Sequence, residues 1–215
     1  MNKSIAALPF VFASLANAAS AAPILLDVKG QVWDSDRSLS SVDDALRLIN
    51  TRASDAQFDV SAIDYPRGLD QQKQRSGVLL SDFLDDDAAS LTGKDFSVET
   101  SAFLFTGMIN LSAGENLFTV ASDDGFELTI DDVLVSQHRG RRGFRSTSKT
   151  ADLGGGLKAF TLVFFENRGR TGVEFLVNRE VATAMAQTPA PGGLALMGAG
   201  MAFLAARRIR KGRAA

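Results

Sequence analysis

The chain has 215 residues, with 23 lysines and arginines against 25 aspartates and glutamates, no cysteine and one histidine, His138. The lack of cysteine excludes disulfides and thiolate chemistry, and one histidine is too few for a zinc centre built on several histidines. Without the two terminal segments described below, 17 basic and 25 acidic residues remain, a net charge of −8 that argues against a nucleic-acid partner.

Residues 1–22 have the pattern of a secretory signal peptide. Lys3 is followed by the apolar run IAALPFVFASLA and then by the small residues ANAASAA before Pro23. A positive start, an apolar middle and a small-residue end are typical of such leaders. We therefore expect export, with cleavage after Ala19 or Ala22. The alternative is a buried N-terminal helix, for which the small-residue end would make a poor core.

The next segments predict strands and one helix. Residues 24–33 are typical of a first strand, and the stretch AQFDV alternates Phe58 and Val60 as a second strand would. Between them, SVDDALRLINT has the spacing of an amphipathic helix, and Ser41 with Asp44 fits an N-terminal capping pair.

An acidic run, Asp85 to Asp87, follows in the stretch SDFLDDDAAS. The alternating Asp-x-Asp-x-Asp-Gly pattern of a calcium loop is missing there. We therefore interpret the run as a solvated loop.

From Ser101 onward the alternation is regular. Apolar residues recur at every second position in SAFLFTGMINL, and short strands follow in NLFTVAS, FELTI, VLVS, KAFTLVFFE and VEFLVN. Turns separate these strands, DDG is predicted to be a tight turn, and residues 137–150 are predicted to be a polar loop. The fold class is therefore all-β, an antiparallel sandwich or barrel with one short inserted helix.

The C-terminal segment has three parts. Residues 183–191 are small and proline-rich and are predicted to be a linker. Residues 192–206 are uncharged and mostly apolar, and as a short hydrophobic helix they would span roughly 22 Å, against a hydrocarbon core of ~30 Å. They could cross a thinned bilayer, with the basic residues 207–215 staying cytoplasmic.

This order resembles the PEP-CTERM sorting signal of Gram-negative bacteria, with Pro189, Ala190 and Pro191 as the sorting motif. Ala190 replaces the acidic residue that is common at the centre of the motif. The resemblance implies an exosortase as a processing partner, a transient inner-membrane anchor, and release to the cell surface or the exopolysaccharide matrix. A permanent single-helix anchor is the alternative.

Three short motifs stand in order in this part of the chain: SDDG at 122–125, Ile130-Asp131 and Phe165-Glu166-Asn167. With these motifs, residues 23–182 resemble a PA14 domain, most strongly over residues 101–178. The resemblance implies a PA14-like β-sandwich that is not an enzyme. It also implies a module that binds carbohydrate or takes part in assembly, with an exopolysaccharide as the expected partner.

In the lectin branch of that family, two adjacent aspartates are joined by a cis peptide and hold one Ca²⁺ with a later asparagine. By position, the resemblance implies Asp123, Asp124 and Asn167 as metal ligands, all of them oxygen donors of the kind that Ca²⁺ prefers. The residues themselves leave an alternative, because Asp-Gly is a strong hairpin signal. The second pair, Asp131-Asp132, is expected to be a solvated turn.

Arginines form the second candidate site. The loop HRGRRGFR contains Arg139, Arg141 and Arg142, and Arg168 and Arg170 follow Asn167. Guanidinium groups bind carboxylates and phosphates through paired hydrogen bonds, so an anionic exopolysaccharide would be a suitable ligand. A solvated flexible loop is the alternative.

Catalysis is not expected. His138 lies in a Gly/Arg loop without a nucleophile elbow, and no segment marks an acid in an apolar environment. Trp33 and Tyr65 are the only residues of their types, so metal-mediated sugar binding is favoured over aromatic stacking, and Trp33 is expected to pack in the core. The predicted function is an exported carbohydrate-binding module, and the alternative is a structural protein of the surface or matrix without a sugar pocket.

Overall fold

Two β-sheets enclose the core of the computed structural model, which describes residues 23–69 and 75–184. Apart from one parallel pair, the strands are antiparallel. The strands are β1 (Ile24–Asp34), β2 (Ala56–Asp59), β3 (Asp64–Tyr65), β4 (Thr92–Gly93), β5 (Thr100–Leu111), β6 (Glu115–Asp123), β7 (Phe126–Ile130), β8 (Val133–His138), β9 (Arg145–Asp152), β10 (Gly156–Asn167), β11 (Gly172–Val177), β12 (Glu180–Val181) and β13 (Thr183–Ala184). The helices are α1 (Val42–Thr51) and α2 (Leu80–Leu84), with short 3₁₀ segments at Arg67–Leu69 and Asp85–Ser90.

The first sheet has the order β4-β2-β1-β5-β10-β7-β8, with β13 beside β1. The second sheet has the order β12-β11-β6-β9, with β3 beside β11. Consecutive strands β6 and β7 therefore lie in different sheets, and the chain crosses from one sheet to the other at residues 124–125.

Alternating aromatic residues from both sheets form the core between them. They come from the central strands of each sheet, and all are fully or almost fully buried: Phe103, Phe105, Phe118, Phe126, Phe160, Phe164 and Phe175. The period of two read from the sequence puts these rings on one face of each strand. The prediction of a mostly antiparallel two-sheet fold is confirmed.

Helix α1 covers the outer face of the first sheet. Its buried residues Val42 and Ala45 pack with Trp33, Val163 and Phe165 in a second cluster. The hydroxyl of Ser41 accepts a hydrogen bond from the backbone N–H of Asp44, at 3.3 Å, which confirms the predicted cap. Strand β10 is consequently buried on both faces, which explains its nearly unbroken apolar sequence.

The acidic run is not a solvated loop throughout. It forms a 3₁₀ segment after α2, and Asp87 is buried. Its carboxylate accepts hydrogen bonds from the Tyr65 hydroxyl and from the backbone N–H of Ser61. The prediction is wrong for Asp87, because a partner distant in sequence supplies the donor that makes its burial tolerable.

Two other predictions about turns need correction. The DDG stretch is not a hairpin turn, since β6 pairs with β9 and β11 while β7 pairs with β8 and β10. The predicted polar loop 137–150 contains most of β9, an edge strand whose side chains are mostly exposed. An exposed edge strand lacks the apolar alternation on which the prediction depended.

The second aspartate pair does form a turn, as predicted. Asp131 and Asp132 have φ values of 46° and 61° and connect β7 to β8 as a two-residue hairpin loop. Asp131 is more than solvated, because its carboxylate accepts from the backbone N–H of Ala159 at 2.9 Å and pairs with Lys158 at 3.0 Å.

The chain ends differ from the prediction at one point. Thr183 and Ala184 form β13 and are not part of a linker. The predicted signal peptide, the rest of the linker, the sorting motif, the hydrophobic helix and the basic tail lie outside the described residues. Within residues 23–69 and 75–184, no helix is long and apolar enough to cross a membrane.

Candidate functional site

Three loops meet at one end of the two sheets. They are the β6–β7 crossing, the β8–β9 loop and the β10–β11 loop, which follow the ends of strands that point in the same direction. Together they form an open cleft of about 440 Å³. Its lining residues are Asp123, Asp124, Arg141, Arg142, Gly143, Asn167, Arg168 and Arg170.

The β6–β7 crossing carries the aspartate pair. The peptide bond between Asp123 and Asp124 is cis, which is the geometry that the resemblance implies. The next residue has to be glycine, because a Cβ on Gly125 would lie 2.6 Å from the carbonyl oxygens of His138 and Gly140. The crossing is thereby pressed against the loop that follows β8.

Both aspartate carboxylates are held by backbone groups of the other two loops. Asp124 accepts hydrogen bonds from the N–H of Arg142 at 2.9 Å and from the N–H of Asn167 at 3.0 Å. Asp123 accepts one from the N–H of Phe144 at 3.1 Å. The pair therefore fixes the positions of both neighbouring loops. Because a carboxylate oxygen has two lone pairs, each of these oxygens keeps one for a further ligand.

Several buried oxygens beside the pair lack a hydrogen-bond partner within the described residues. They are the side-chain Oδ1 of Asn167 and both carboxylate oxygens of Glu166. The side chains of Asp123, Asp124 and Glu166 also offer ligand atoms that all lie within 4.8 Å of one another. A buried oxygen without a donor is costly, so this arrangement is suited to a cation.

Burial shifts the acidity of these groups. It raises the pKa of Asp123 to about 6, with a further contribution from the charge of Asp124. Burial also raises the pKa of Asp124. Glu166, which is 1 % exposed, has its pKa raised to about 10, first by burial and then by the two aspartates. Negative charge is therefore disfavoured at this place, and a bound cation would reverse that.

The donor set fits Ca²⁺. Carboxylate and amide oxygens are the ligands that this ion prefers, in sites of six to eight oxygens. Asp123 and Asp124 bring carboxylates, and Asn167 brings an amide oxygen without a hydrogen-bond donor in the described part of the chain. All three predicted ligands therefore line the same cleft.

Glu166 is a candidate that the sequence reasoning missed. It lies in the FEN stretch that carries the family resemblance, but a glutamate at the end of a strand is usually solvent-exposed. Its neighbours Phe165 and Asn167 are also buried. The signal that could have revealed it is the unbroken apolar run before it, which is typical of a strand covered on both faces.

The predicted ligand-binding arginines separate into two groups. Arg139 does not line the cleft, because its guanidinium is paired with Asp43 of α1 and Glu127 of β7. Its assignment to ligand binding stays a prediction, and these two ion pairs occupy its guanidinium within the protein. Arg142 lines the cleft but serves the scaffold, since it donates to Ser122 at 2.9 Å and to Thr147 at 2.7 Å.

The other three arginines form no ion pair within the described residues. Arg141, Arg168 and Arg170 are exposed and line the cleft with the aspartates. The charge of Arg141 lowers the pKa of Asp124, and that of Arg170 lowers the pKa of Asp123, although burial is the larger influence on both. The cleft thus combines two carboxylates with a basic rim.

Neither large polar aromatic residue offers a stacking surface. Trp33 is 3 % exposed and donates its indole N–H to the backbone oxygen of Arg52 at 2.9 Å, and Tyr65 is 2 % exposed. The prediction that Trp33 packs in the core is confirmed. Sugar recognition by stacking on either ring is therefore not supported by their positions.

No protein-family model matches the chain, and no curated protein is similar to it. Among solved structures, the PA14 domain of the antifreeze protein MpAFP superposes with a TM-score of 0.65 at 19 % identity, covering 79 % of this chain and 92 % of that domain. The chain has the PA14 fold.

Two further solved structures share this fold. The PA14 sugar-binding domain of an RTX adhesin has a TM-score of 0.63 at 23 % identity, over 72 % of this chain and 90 % of that domain. The A domain of epithelial adhesin 6 from Candida glabrata, solved with Galβ1-3GlcNAc, has a TM-score of 0.50 at 12 % identity, over 82 % and 94 %.

Proposed function

We propose that the chain is a carbohydrate-binding module, without catalytic activity, that holds Ca²⁺ through Asp123, Asp124 and Asn167. The observation that carries the proposal is the buried Oδ1 of Asn167, which has no hydrogen-bond donor among the described residues and lies in the cleft of the two aspartates. The RTX adhesin domain of the same fold is a sugar-binding domain, and the epithelial adhesin domain was solved with a disaccharide.

The chain's own residues prepare the cleft for a ligand. Asp124 ties the β8–β9 and β10–β11 loops together through two backbone hydrogen bonds, and Gly125 allows the close approach of the first of these loops. A bound Ca²⁺ would neutralise the paired carboxylates and offer further coordination positions to sugar hydroxyls. The rim arginines would then lie around the saccharide.

The expected site of action is outside the cell. The signal-peptide pattern of residues 1–22 and the sorting pattern of residues 189–215 support export, transient anchoring in the inner membrane and processing by an exosortase. The final location would be the cell surface or the extracellular matrix. The partner there would be an exopolysaccharide.

A structural role without a sugar pocket is the second candidate. It is favoured by the three backbone hydrogen bonds to Asp123 and Asp124, which organise the loops with no metal. In that case the aspartate pair would serve the fold alone.

Binding to an oligosaccharide array with Ca²⁺ and with EGTA distinguishes the two functions. Asp123→Asn removes one charge and keeps an acceptor for the Phe144 N–H, and Asp132→Asn makes the same exchange at the exposed hairpin. We expect glycan binding that depends on Ca²⁺. We also expect Ca²⁺ to raise the free energy of unfolding by RT ln(1 + [L]/Kd), where [L] is the Ca²⁺ concentration. Both should be lost in Asp123→Asn and kept in Asp132→Asn. No Ca²⁺ effect and no bound glycan would leave the structural role.

A further inference from the structure

The cleft is strongly basic in an acidic chain. Four of its eight lining residues are arginines, whereas residues 23–206 carry 17 basic and 25 acidic residues. Four arginines elsewhere in the described chain are paired with acids: Arg47 with Asp44, Arg52 with Asp55, Arg67 with Asp86, and Arg139 with Asp43 and Glu127. The cleft therefore brings together three exposed guanidinium groups, those of Arg141, Arg168 and Arg170, that form no ion pair within the described residues.

The aspartates in the same cleft do not form salt bridges with these arginines. Their carboxylates are largely buried and accept hydrogen bonds from backbone N–H groups, while Arg141, Arg168 and Arg170 are exposed at the rim. The two kinds of charge are thus segregated, with the carboxylates in the floor of the cleft and the guanidinium groups accessible to a ligand.

Metal binding would increase the excess of positive charge in the cleft. One Ca²⁺ balances the two charges of Asp123 and Asp124, so the positive charges of the lining arginines would remain uncompensated. A neutral saccharide has no charge that these arginines would attract. A saccharide with a carboxylate or sulfate group is attracted, because guanidinium groups form charge-assisted, paired hydrogen bonds with both oxyanions.

We propose that the cleft selects acidic saccharides, whose carboxylate or sulfate substituent binds Arg141, Arg168 and Arg170. This selectivity rests on the carbohydrate-binding function proposed above. The cleft volume of about 440 Å³ lies within the range of roughly 300–1,000 Å³ that is usual for small-ligand sites, which leaves room for a sugar ring together with its acidic group.

The test compares trimers that differ in one chemical group. The ligands are trigalacturonate, its neutral methyl ester, and a sulfated galactose trimer, each measured with the full chain by interferometry in Ca²⁺ and in EGTA. The variant is the triple substitution Arg141→Gln, Arg168→Gln and Arg170→Gln. The matched control is Arg179→Gln, because Arg179 is exposed, has φ 73° against 81° for Arg168, and lies at the opposite end of β11.

We expect an acidic trimer to bind about tenfold more tightly than the methyl ester, the gain from one charge-assisted hydrogen bond. The triple variant should bind acid and ester within about twofold of each other, and Arg179→Gln should keep the preference of the wild type for the acid. A preference for the sulfated trimer over trigalacturonate would identify sulfate as the oxyanion, and the reverse would identify carboxylate.

Three results would overturn the proposal. Equal binding of acid and ester, with Ca²⁺-dependent binding of both, would refute the charge selectivity and leave the carbohydrate function intact. Acid binding that persists unchanged in the triple variant, in Ca²⁺ or in EGTA, would show that these arginines do not hold the oxyanion. Absence of binding to every trimer would overturn the selectivity together with the proposed function.

Discussion

The substitution Glu166→Gln tests whether a buried carboxyl group keeps its proton beside the aspartate pair. In the folded chain, burial and the two aspartates raise the pKa of Glu166 from 4.5 to about 10. Between these two values the folded state binds one proton more than the unfolded state. The free energy of unfolding must therefore fall as the pH rises through this window.

The magnitude follows from the unfolded-state pKa alone, provided that the folded-state pKa lies well above 7. Each pH unit above 4.5 costs about 1.4 kcal/mol, so the contribution of Glu166 changes by about 2.6 kcal/mol between pH 5 and pH 7. Glutamine has nearly the same shape and does not titrate. Any constant effect of its amide on stability cancels when the two pH values are compared.

The assay is urea unfolding of both proteins in EGTA at pH 5 and pH 7. Relative to wild type, Glu166→Gln should gain about 2.6 kcal/mol on going from pH 5 to pH 7. Titration of the other carboxyl groups, including Asp123, is common to both proteins. An equal pH dependence of the two proteins would mean that Glu166 is already ionised in the folded chain, and the electrostatic account of the site would be wrong.

Three other outcomes follow from the same contacts. Because the pKa of Asp123 is about 6, the apparent affinity for Ca²⁺ should fall about tenfold from pH 7 to pH 5 in calorimetric titrations, and a pH-independent affinity would argue against Asp123 as a ligand. Gly125→Ala should destabilise the fold by about 1–3 kcal/mol in thermal unfolding, since its Cβ would overlap two carbonyl oxygens, and an unchanged Tm would contradict that crowding. Tyr65→Phe should cost about 1–3 kcal/mol by removing a donor from buried Asp87, whereas breaking the exposed Arg67–Asp86 pair with Arg67→Ala should cost at most about 1 kcal/mol; equal losses would refute the distinction.

Local patterns were sufficient for the core strands and for α1. Alternating phenylalanines in β5 and β10 specify one buried face, and Ser41 marks the start of the helix. Strand β9 was missed because its side chains are mostly exposed at the edge of the second sheet. An edge strand obtains its order from pairing with a neighbour, here β6, and that pairing leaves no apolar period in its own sequence.

The residues that line the candidate site were predictable in part, and their surroundings less so. Asp123, Asp124 and Asn167 do come together in one cleft, whereas the Asp-Gly signal at Gly125 suggested a hairpin that the two-sheet topology excludes. The burial of Glu166 depends on strands and loops distant in sequence, and the apolar run before it indicates only that the strand is covered on both faces.

The arginines show the same limit. Arg139 and Arg141 are two residues apart in one basic loop, but only Arg139 reaches acidic partners on α1 and β7. Which guanidinium groups remain available to a ligand is a property of the folded surface. Charge counting in the sequence could not separate the two residues.

A crystal structure of the protein grown with Ca²⁺ and an oligosaccharide would show directly whether the cleft holds the metal and the sugar. We expect one Ca²⁺ in the cleft, with side-chain oxygens of Asp123, Asp124 and Asn167 at about 2.3–2.6 Å and sugar hydroxyls completing its coordination. A cleft without metal at saturating Ca²⁺, with the Asn167 amide oxygen hydrogen-bonded to a protein donor or water, would contradict this expectation.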